Sequence, residues 1–288
     1  MTRFASLPQL LAEETPLKLP VAHDALSMRM IERAGFSAGT IGGFGVIGCR
    51  LGLPDLGLAS FGEISAAVSD ISRATDLPLI IDGDDGYGDV KNVVRTVRTY
   101  EDMGISGIVL EDQVSPKKCG HMQVKREVVP TDTAVAKLRA ALDARRNPDF
   151  SIIARTDARH VEGLEGAIER GHRYVEAGAA ALFVEAPISV KELERIGAAF
   201  DVPLIVNAAE GGRTPVLSPD EYRQLGFSII IYPATLLLRM VGMFERTLAE
   251  LRHGRFADEG TLPAFTTLTG IMGAEEWMDI DRRFSPDA

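Results

Sequence analysis

The run Ser115-Pro116-Lys117-Lys118-Cys119-Gly120-His121 puts a thiol, an imidazole and two ammonium groups side by side. A thiol beside Lys117, Lys118 and His121 is expected to lose its proton more readily than an isolated cysteine and to attract carboxylates, which suits proton transfer on an anionic substrate. Taken alone, such a run is more often a solvated basic loop beside an incidental cysteine. A second set of chemical groups follows short apolar runs: Asp82 and Asp84, Glu111 and Asp112, Arg155 and Asp157, Glu185, and Asn207. Each alone reads as a helix cap or a turn residue, whereas five successive run ends carrying acids, an arginine or an asparagine read as a site.

The elements that would position these groups alternate. Apolar runs at Leu17–Val21, Gly39–Ile41, Pro78–Ile81, Gly107–Leu110, Ser151–Ala154, Ala181–Val184, Pro203–Val206 and Ser228–Tyr232 read as eight buried parallel strands. Amphipathic helical patterns lie between them, such as Val90, Val93, Val94, Val97 and Tyr100. Eight alternations predict an α/β fold, a (β/α)8 TIM-type barrel with a C-terminal helical extension, rather than an open doubly wound sheet. In a barrel every one of the polar run ends emerges at the carboxyl face, where active sites of this fold are built. The 288 residues suit a single barrel domain spanning 1–288, with no visible linker and a tail over 253–288.

Asp82, Asp84 and Glu111 come from adjacent strands and are hard oxygen donors; packed together they repel unless a cation neutralises them. Mg2+, with Mn2+ as its substitute, suits carboxylates, retained waters and substrate oxygens, and Asp55 in the loop Leu51–Gly57 could join the set. Asp85 and Asp89 read as turn or cap residues. Gly43-Phe44-Gly45-Val46-Ile47-Gly48 matches a dinucleotide fingerprint, with Glu63 at the usual distance of about 20 residues. That fingerprint needs a helix starting within the glycines; the stretch Arg50–Pro54 reads as continuing loop, and the motif follows the second strand rather than the first. The glycines are expected instead to let backbone amides approach a substrate carboxylate.

The net charge of −10 argues against nucleic acid or an anionic membrane surface as partner. The N-terminus carries no long apolar run ending in small residues, which predicts a cytoplasmic protein. Cys49 and Cys119 form no CxxC pattern. His160 and His172 read as surface or packing residues, and His23 follows the first strand. The interval between the fourth and fifth strands is longer than the one before it, the excess lying between Glu111 and Pro130, as a water-excluding lid would require.

Together these motifs give the chain a family likeness. It resembles the isocitrate lyase/phosphoenolpyruvate mutase superfamily across nearly its whole length, through Leu51–Gly57, Asp82–Gly88, Glu111–Gln113, Lys117–His121, Ala154–Ala158, Val184–Ala186 and the 207–215 segment. The resemblance implies a Mg2+-dependent barrel enzyme acting on small 2-oxo or 2-hydroxy acids. The Lys-Lys-Cys-Gly-His loop is similar to that of the lyase branch and of the oxaloacetate-cleaving hydrolases, so carbon–carbon cleavage is implied: a 2-hydroxy di- or tricarboxylate splits into a 2-oxo acid and a carboxylic acid. The alternatives are an oxaloacetate acetylhydrolase or decarboxylase, and a barrel that binds diacids without turnover.

By the same resemblance Cys119 protonates the leaving carbanion, with Lys118 and His121 beside it. Asp82 is the most direct metal ligand, with Asp84, Asp55 and Glu111 near it or linked through water. Arg155 holds the carboxylate and oxygen of the 2-oxo half, assisted by amides near Gly42, Gly43, Phe44 and Gly120. Glu185, Asn207, Glu210 and Thr214 line the end nearer the leaving half. The base that takes the hydroxyl proton stays open between Asp55, Glu111 and a water relay. Gly42-Gly43-Phe44 replaces the Ser-Gly-Gly typical of methylisocitrate lyases, and Glu210-Gly211-Gly212 is similar to the 2-alkylmalate lyases and oxaloacetate hydrolases, which weakens a tricarboxylate substrate. The tail around Trp277 is implied to pack with neighbouring subunits in a homotetramer.

Overall fold

The computed structural model describes residues 4–118, 126–255 and 262–285. Its eight strands are β1 (Leu17–Ala22), β2 (Gly39–Ile41), β3 (Leu79–Asp82), β4 (Gly107–Glu111), β5 (Ser151–Thr156), β6 (Ala181–Val184), β7 (Leu204–Asn207) and β8 (Phe227–Tyr232). They pair in parallel, in sequence order, and β8 closes back on β1. The helices are α1 (Leu7–Glu13), α2 (Ala25–Arg33), α3 (Gly43–Leu51), α4 (Phe61–Ser72), α5 (Val90–Asp102), α6 (Thr131–Ala144), α7 (Ala158–Glu176), α8 (Val190–Gly197), α9 (Pro219–Gln224), α10 (Thr235–Arg252), α11 (Phe265–Ile271) and α12 (Ala274–Phe284). The (β/α)8 barrel expected from the alternation is the observed fold.

Two apolar layers hold it. Leu17, Leu19, Ile80, Val109, Ile153, Phe183, Ile205 and Ile229 fill the barrel interior, joined by Leu7 and Leu10 of α1. The α1 helix starts at a capping box in which the Ser6 hydroxyl accepts from the Gln9 amide and the Gln9 side chain accepts from the Ser6 amide. The other faces of the strands pack on the helices, through residues such as Ile81, Ile108, Ile152, Leu182 and Val206.

This alternation fixes the rim. Side chains two apart on a strand share a face, so the inward column that begins with Ile80 continues with Asp82, Val109 with Glu111, Ile153 with Arg155, and Ile205 with Asn207. The polar residues expected just beyond the strands are for the most part their last residues: Asp82, Glu111, Arg155 and Asn207 all lie inside ladder pairs. Backbone hydrogen bonding runs on through one more residue than apolar composition alone marks.

The fingerprint glycines behave differently from expectation. α3 starts at Gly43, inside the motif, so the stretch expected to be loop is helix up to Leu51. Packing overrides glycine's low helix propensity: a Cβ on Gly45 would lie 3.0 Å from the His23 side chain. A dinucleotide is still disfavoured. A Cβ on Gly43 would meet Lys117, Asp84 and Asp82 at 3.4, 3.6 and 3.8 Å, which puts carboxylates where a pyrophosphate would sit. Glu63 is used in the capping box of α4, its carboxylate accepting from the Ser60 amide and hydroxyl.

α10, α11 and α12 contain no buried residue among those described. Phe244, Leu248, Phe265, Trp277 and Phe284 are exposed, Phe265 to 83% and Trp277 to 68%. The tail touches the barrel through Arg29, whose guanidinium donates to the Ile271 carbonyl at 3.2 Å. Among the described residues no helix is long and apolar enough to cross a membrane.

Candidate active site

An open cavity sits at the carboxyl ends of the strands. Of the residues expected there, Gly42, Phe44, Asp55, Asp82, Glu111, Arg155, Glu185 and Asn207 line it. Gly43 and Asp84 stand directly behind Asp82. Lys118 is half-buried, its amide donating to the Gln113 side chain at 3.1 Å. Cys119, Gly120 and His121 lie outside the described residues.

Two expected residues fall away from the cavity. Glu210 is exposed and bound end to end by Arg239, at 2.6 and 2.8 Å, so its carboxylate is already neutralised outside the cavity lining. Thr214 is buried but also outside the lining. Among the histidines, His172 packs on the Phe200 ring at 4.6 Å and His160 lies 3.4 Å from Arg213. His23 is buried beside Gly45 and does not line the cavity.

The acid half of the rim is built by the turn after β3. A Cβ on Gly83 would overlap the Ile108 side chain at 2.5 Å, so only glycine lets the chain pass and present carboxylates on both sides. Asp84 adopts a left-handed backbone, φ 49°. Its amide donates to the Asp82 carboxylate at 3.1 Å, while its carbonyl accepts from the Glu111 amide at 2.8 Å. Asp85 caps the same turn through the Tyr87 amide at 2.9 Å, and Lys137 of α6 donates to the Asp85 carbonyl and carboxylate at 2.8 and 3.2 Å.

Lys117 is the residue that sequence reasoning missed. Read from the chain it is a basic neighbour of Cys119. In the structure its ammonium is buried among the acids, against Asp84, 3.2 Å from Asp55 and 3.9 Å from Asp82. Its charge is therefore committed to carboxylates, not free to act on a thiol. Burial favours its neutral form, but Asp84, Asp82, Glu111 and Asp55 outweigh that and hold its pKa well above the usual lysine value. One ammonium does not balance four acids. Burial, with Asp82 and Asp55 nearby, pushes Asp84 up to about 7 despite Lys117. Burial also drives Glu111 well above the carboxylate range against the pull of Arg155. Burial acts on Asp82 in the same sense, yet Lys117, Arg155 and the amides of Asp84 and Gly43 together lower it.

The cationic half comes from β5 to β7. Arg155 reaches Glu111 at 3.4 Å and Glu185 at 3.8 Å, and its guanidinium lies 5.2 Å from the centre of the Phe183 ring. Asn207 donates to Glu185 at 3.2 Å. Gln113, quoted in the sequence only as part of the Glu111–Gln113 motif, and Phe183, unmarked there, line the cavity; the period-two step from Phe183 to Glu185 is the signal that could have found the latter residue. Val21, Ile41, Ile231, Pro233 and Ala234 supply an apolar wall.

A divalent cation fits this donor set. Among the described residues Asp55 Oδ1 and Glu111 Oε1 are buried without a hydrogen-bond partner, and buried unpaired carboxylate oxygens are costly unless something positive meets them. Among the described residues no three His, Cys, Asp or Glu side chains converge on one point. Mg2+ tolerates this arrangement, because it keeps several waters and takes only one or two carboxylates directly.

A family model described as phosphoenolpyruvate phosphomutase matches residues 7–252. The chain belongs to that family. It is 40% identical over 287 residues to the 2,3-dimethylmalate lyase of Eubacterium barkeri, covering 99% of each chain. It is 44% identical over 239 residues to a probable 2-methylisocitrate lyase of Corynebacterium glutamicum, covering 82% of this chain and 78% of that one. A solved structure of oxaloacetate acetylhydrolase bound to the inhibitor 3,3-difluorooxalacetate superposes with a TM-score of 0.90 at 33% identity, over 96% and 95% of the two chains. As a member of the superfamily, the chain resembles enzymes that are generally divalent-metal dependent.

Proposed function

We propose that this chain is a divalent-metal-dependent carbon–carbon lyase that cleaves a small 2-hydroxy diacid of the 2-alkylmalate type into a 2-oxo acid and a carboxylic acid. The observation that carries the reading is one cavity with partnerless carboxylate oxygens on one side, Arg155 on the other and an apolar wall between. Among the described residues only Arg155 and Lys117 bring positive charge to the lining, and Lys117 is already committed to acids. That supports a dicarboxylate with alkyl substituents over a tricarboxylate, and the lyase relatives support cleavage.

Arg155 binds the carboxylate of the 2-oxo half through charge-assisted hydrogen bonds. The apolar wall takes the alkyl groups and excludes water. The hydroxyl proton passes to Asp55, to a water relay, or to Glu111 once a nearby cation has returned Glu111 to its charged form. As the carbon–carbon bond breaks, the hydroxyl oxygen becomes the new carbonyl and the electron pair moves onto the leaving carboxylate half. Cys119 gives that carbon its proton. Mg2+, held by Asp82 and, directly or through water, by Asp84, Asp55 and Glu111, supplies Lewis-acid stabilisation of negative charge on the substrate oxygen.

Assembly and setting belong to the same proposal. The exposed apolar faces of α10 to α12 are covered by further copies of the chain in a homotetramer, and the enzyme works in the cytoplasm.

Product analysis tests the reading. Incubation of 2,3-dimethylmalate, other 2-alkylmalates, 2-methylisocitrate and oxaloacetate with Mg2+ should release a 2-oxo acid from the alkylmalates, and EDTA should stop it. Oxalate and acetate from oxaloacetate, with no turnover of the alkylmalates, would replace the lyase by an acetylhydrolase. Silence across the panel would leave a diacid-binding barrel.

A further inference from the structure

We propose that Asp157 is the positioning residue that sets the Arg155 guanidinium for the substrate carboxylate, and that Asp112 fixes Asp157 in turn. The inference rests on the reading of Arg155 as the carboxylate clamp.

Asp157 occupies the N-cap position of α7. Aspartate is favoured there because its carboxylate accepts from the second or third helical amide. Here it makes no such bond; the Thr156 hydroxyl accepts from the Ala158 amide at 3.2 Å instead. The freed carboxylate turns to Arg155, taking Nε at 2.9 Å and Nη2 at 3.1 Å, and it also accepts from Arg126 at 2.6 Å. Its side chain is 0% exposed and lies outside the cavity lining, so it acts on substrate only through Arg155.

The geometry explains why such a residue is needed. The other acids beside Arg155 are Glu111 and Glu185, both lining the cavity. A guanidinium free to turn would collapse onto them and spend its donors. Asp157 engages the Nε edge side-on, which leaves the Nη1 donors and one Nη2 donor for a carboxylate. The Phe183 ring restrains the plane.

Asp157 is itself immobilised. Its amide donates to Asp112 Oδ1 at 2.8 Å, and Asp112 Oδ2 accepts from the Thr156 and Tyr174 hydroxyls, each at 2.7 Å, with Arg170 at 3.4 Å. A buried network runs from α7 to the clamp, every step a named contact.

The test is oxalate binding by titration calorimetry in excess Mg2+, because oxalate presents the planar pair of oxygens of a 2-oxo acid. Wild type, Arg155→Lys, Asp157→Asn and the double variant are compared, with melting temperatures recorded. We expect Arg155→Lys and Asp157→Asn each to weaken oxalate about tenfold or more, with the double variant no weaker than the worse single one. KM for the hydroxy acid should rise more than kcat falls. Should Asp157→Asn not fold, Asp157→Ser places another residue favoured at the N-cap position and loses the carboxylate, and the same weakening is expected. Oxalate affinity within about twofold of wild type in the Asp157 variants, or losses that multiply in the double variant, overturns the inference while Arg155→Lys still upholds the clamp. If Arg155→Lys binds oxalate as wild type does, the clamp reading fails and this inference with it.

Discussion

The barrel rim and the C-terminal helices invert the ordinary distribution of residues in opposite ways. At the rim Asp55, Asp84, Glu111 and Lys117 are buried; on α10 to α12, Phe244, Leu248, Phe265 and Trp277 are exposed. Buried charge and exposed apolar surface are both unfavourable for an isolated chain. Under the proposed function each region is completed by something outside the single chain: the rim by a cation and an anionic substrate, and the helices by other copies of the chain.

Metal removal is the largest way to break this comparison. Chelation should abolish 2-oxo acid formation and added Mg2+ should restore it, since Asp55, Asp82, Asp84 and Glu111 crowd together with only Lys117 and Arg155 to offset them. Retained turnover in excess EDTA would mean that Lys117 suffices. The next effect is chemical: Cys119→Ser should lower kcat by about 10²–10⁴, the scale of a lost general acid, with Mg2+ affinity unchanged by calorimetry. Full turnover in that variant removes Cys119 as the proton donor.

The two regions were unequally legible in the sequence. Asp82, Glu111, Arg155 and Asn207 could be found because a buried strand carries its inward face, residue by alternate residue, to the rim. The exposed tail could be found because its apolar residues follow the last barrel element. Lys117 could not: nothing in Lys117-Lys118 says which lysine folds back onto β3, a choice made by a non-local contact in which Pro116 and Lys117 pack on Gly57. Helix α3 was hidden for a similar reason, its glycines selected by His23 and the acids rather than by local propensity. Glu210 stands outside the cavity lining, paired with Arg239 of α10, a contact that the sequence does not show.

A perturbation of the tail should leave chemistry alone and change assembly. Phe244→Glu with Leu248→Glu alters side chains that are 49% and 62% exposed, so the single-chain fold has little to lose. Each apolar side chain buried between copies is worth about 1.5–3 kcal/mol, and charging two per chain is repeated at every interface. Sedimentation should show a tetramer for the wild type and smaller species for the variant. An unchanged tetramer places the interface elsewhere, and a monomeric wild type removes it.

The smallest expected effect falls where rim and scaffold meet. Lys137 reaches from α6 to the Asp85 carbonyl and carboxylate, bracing the turn that gives Asp84 its left-handed backbone. Replacing it in Lys137→Met keeps the apolar stem and removes the donor, leaving Asp85 buried with one partner fewer, a cost of about 1–3 kcal/mol. That should appear as a lower melting temperature. Because Asp84 stands beside Asp82 through the same turn, Mg2+ affinity should weaken in parallel, while oxalate binding through Arg155 changes less. Loss of stability with Mg2+ affinity intact would show that the turn holds its shape without the brace, and that Asp84 is positioned by Gly83 and the β4 backbone alone.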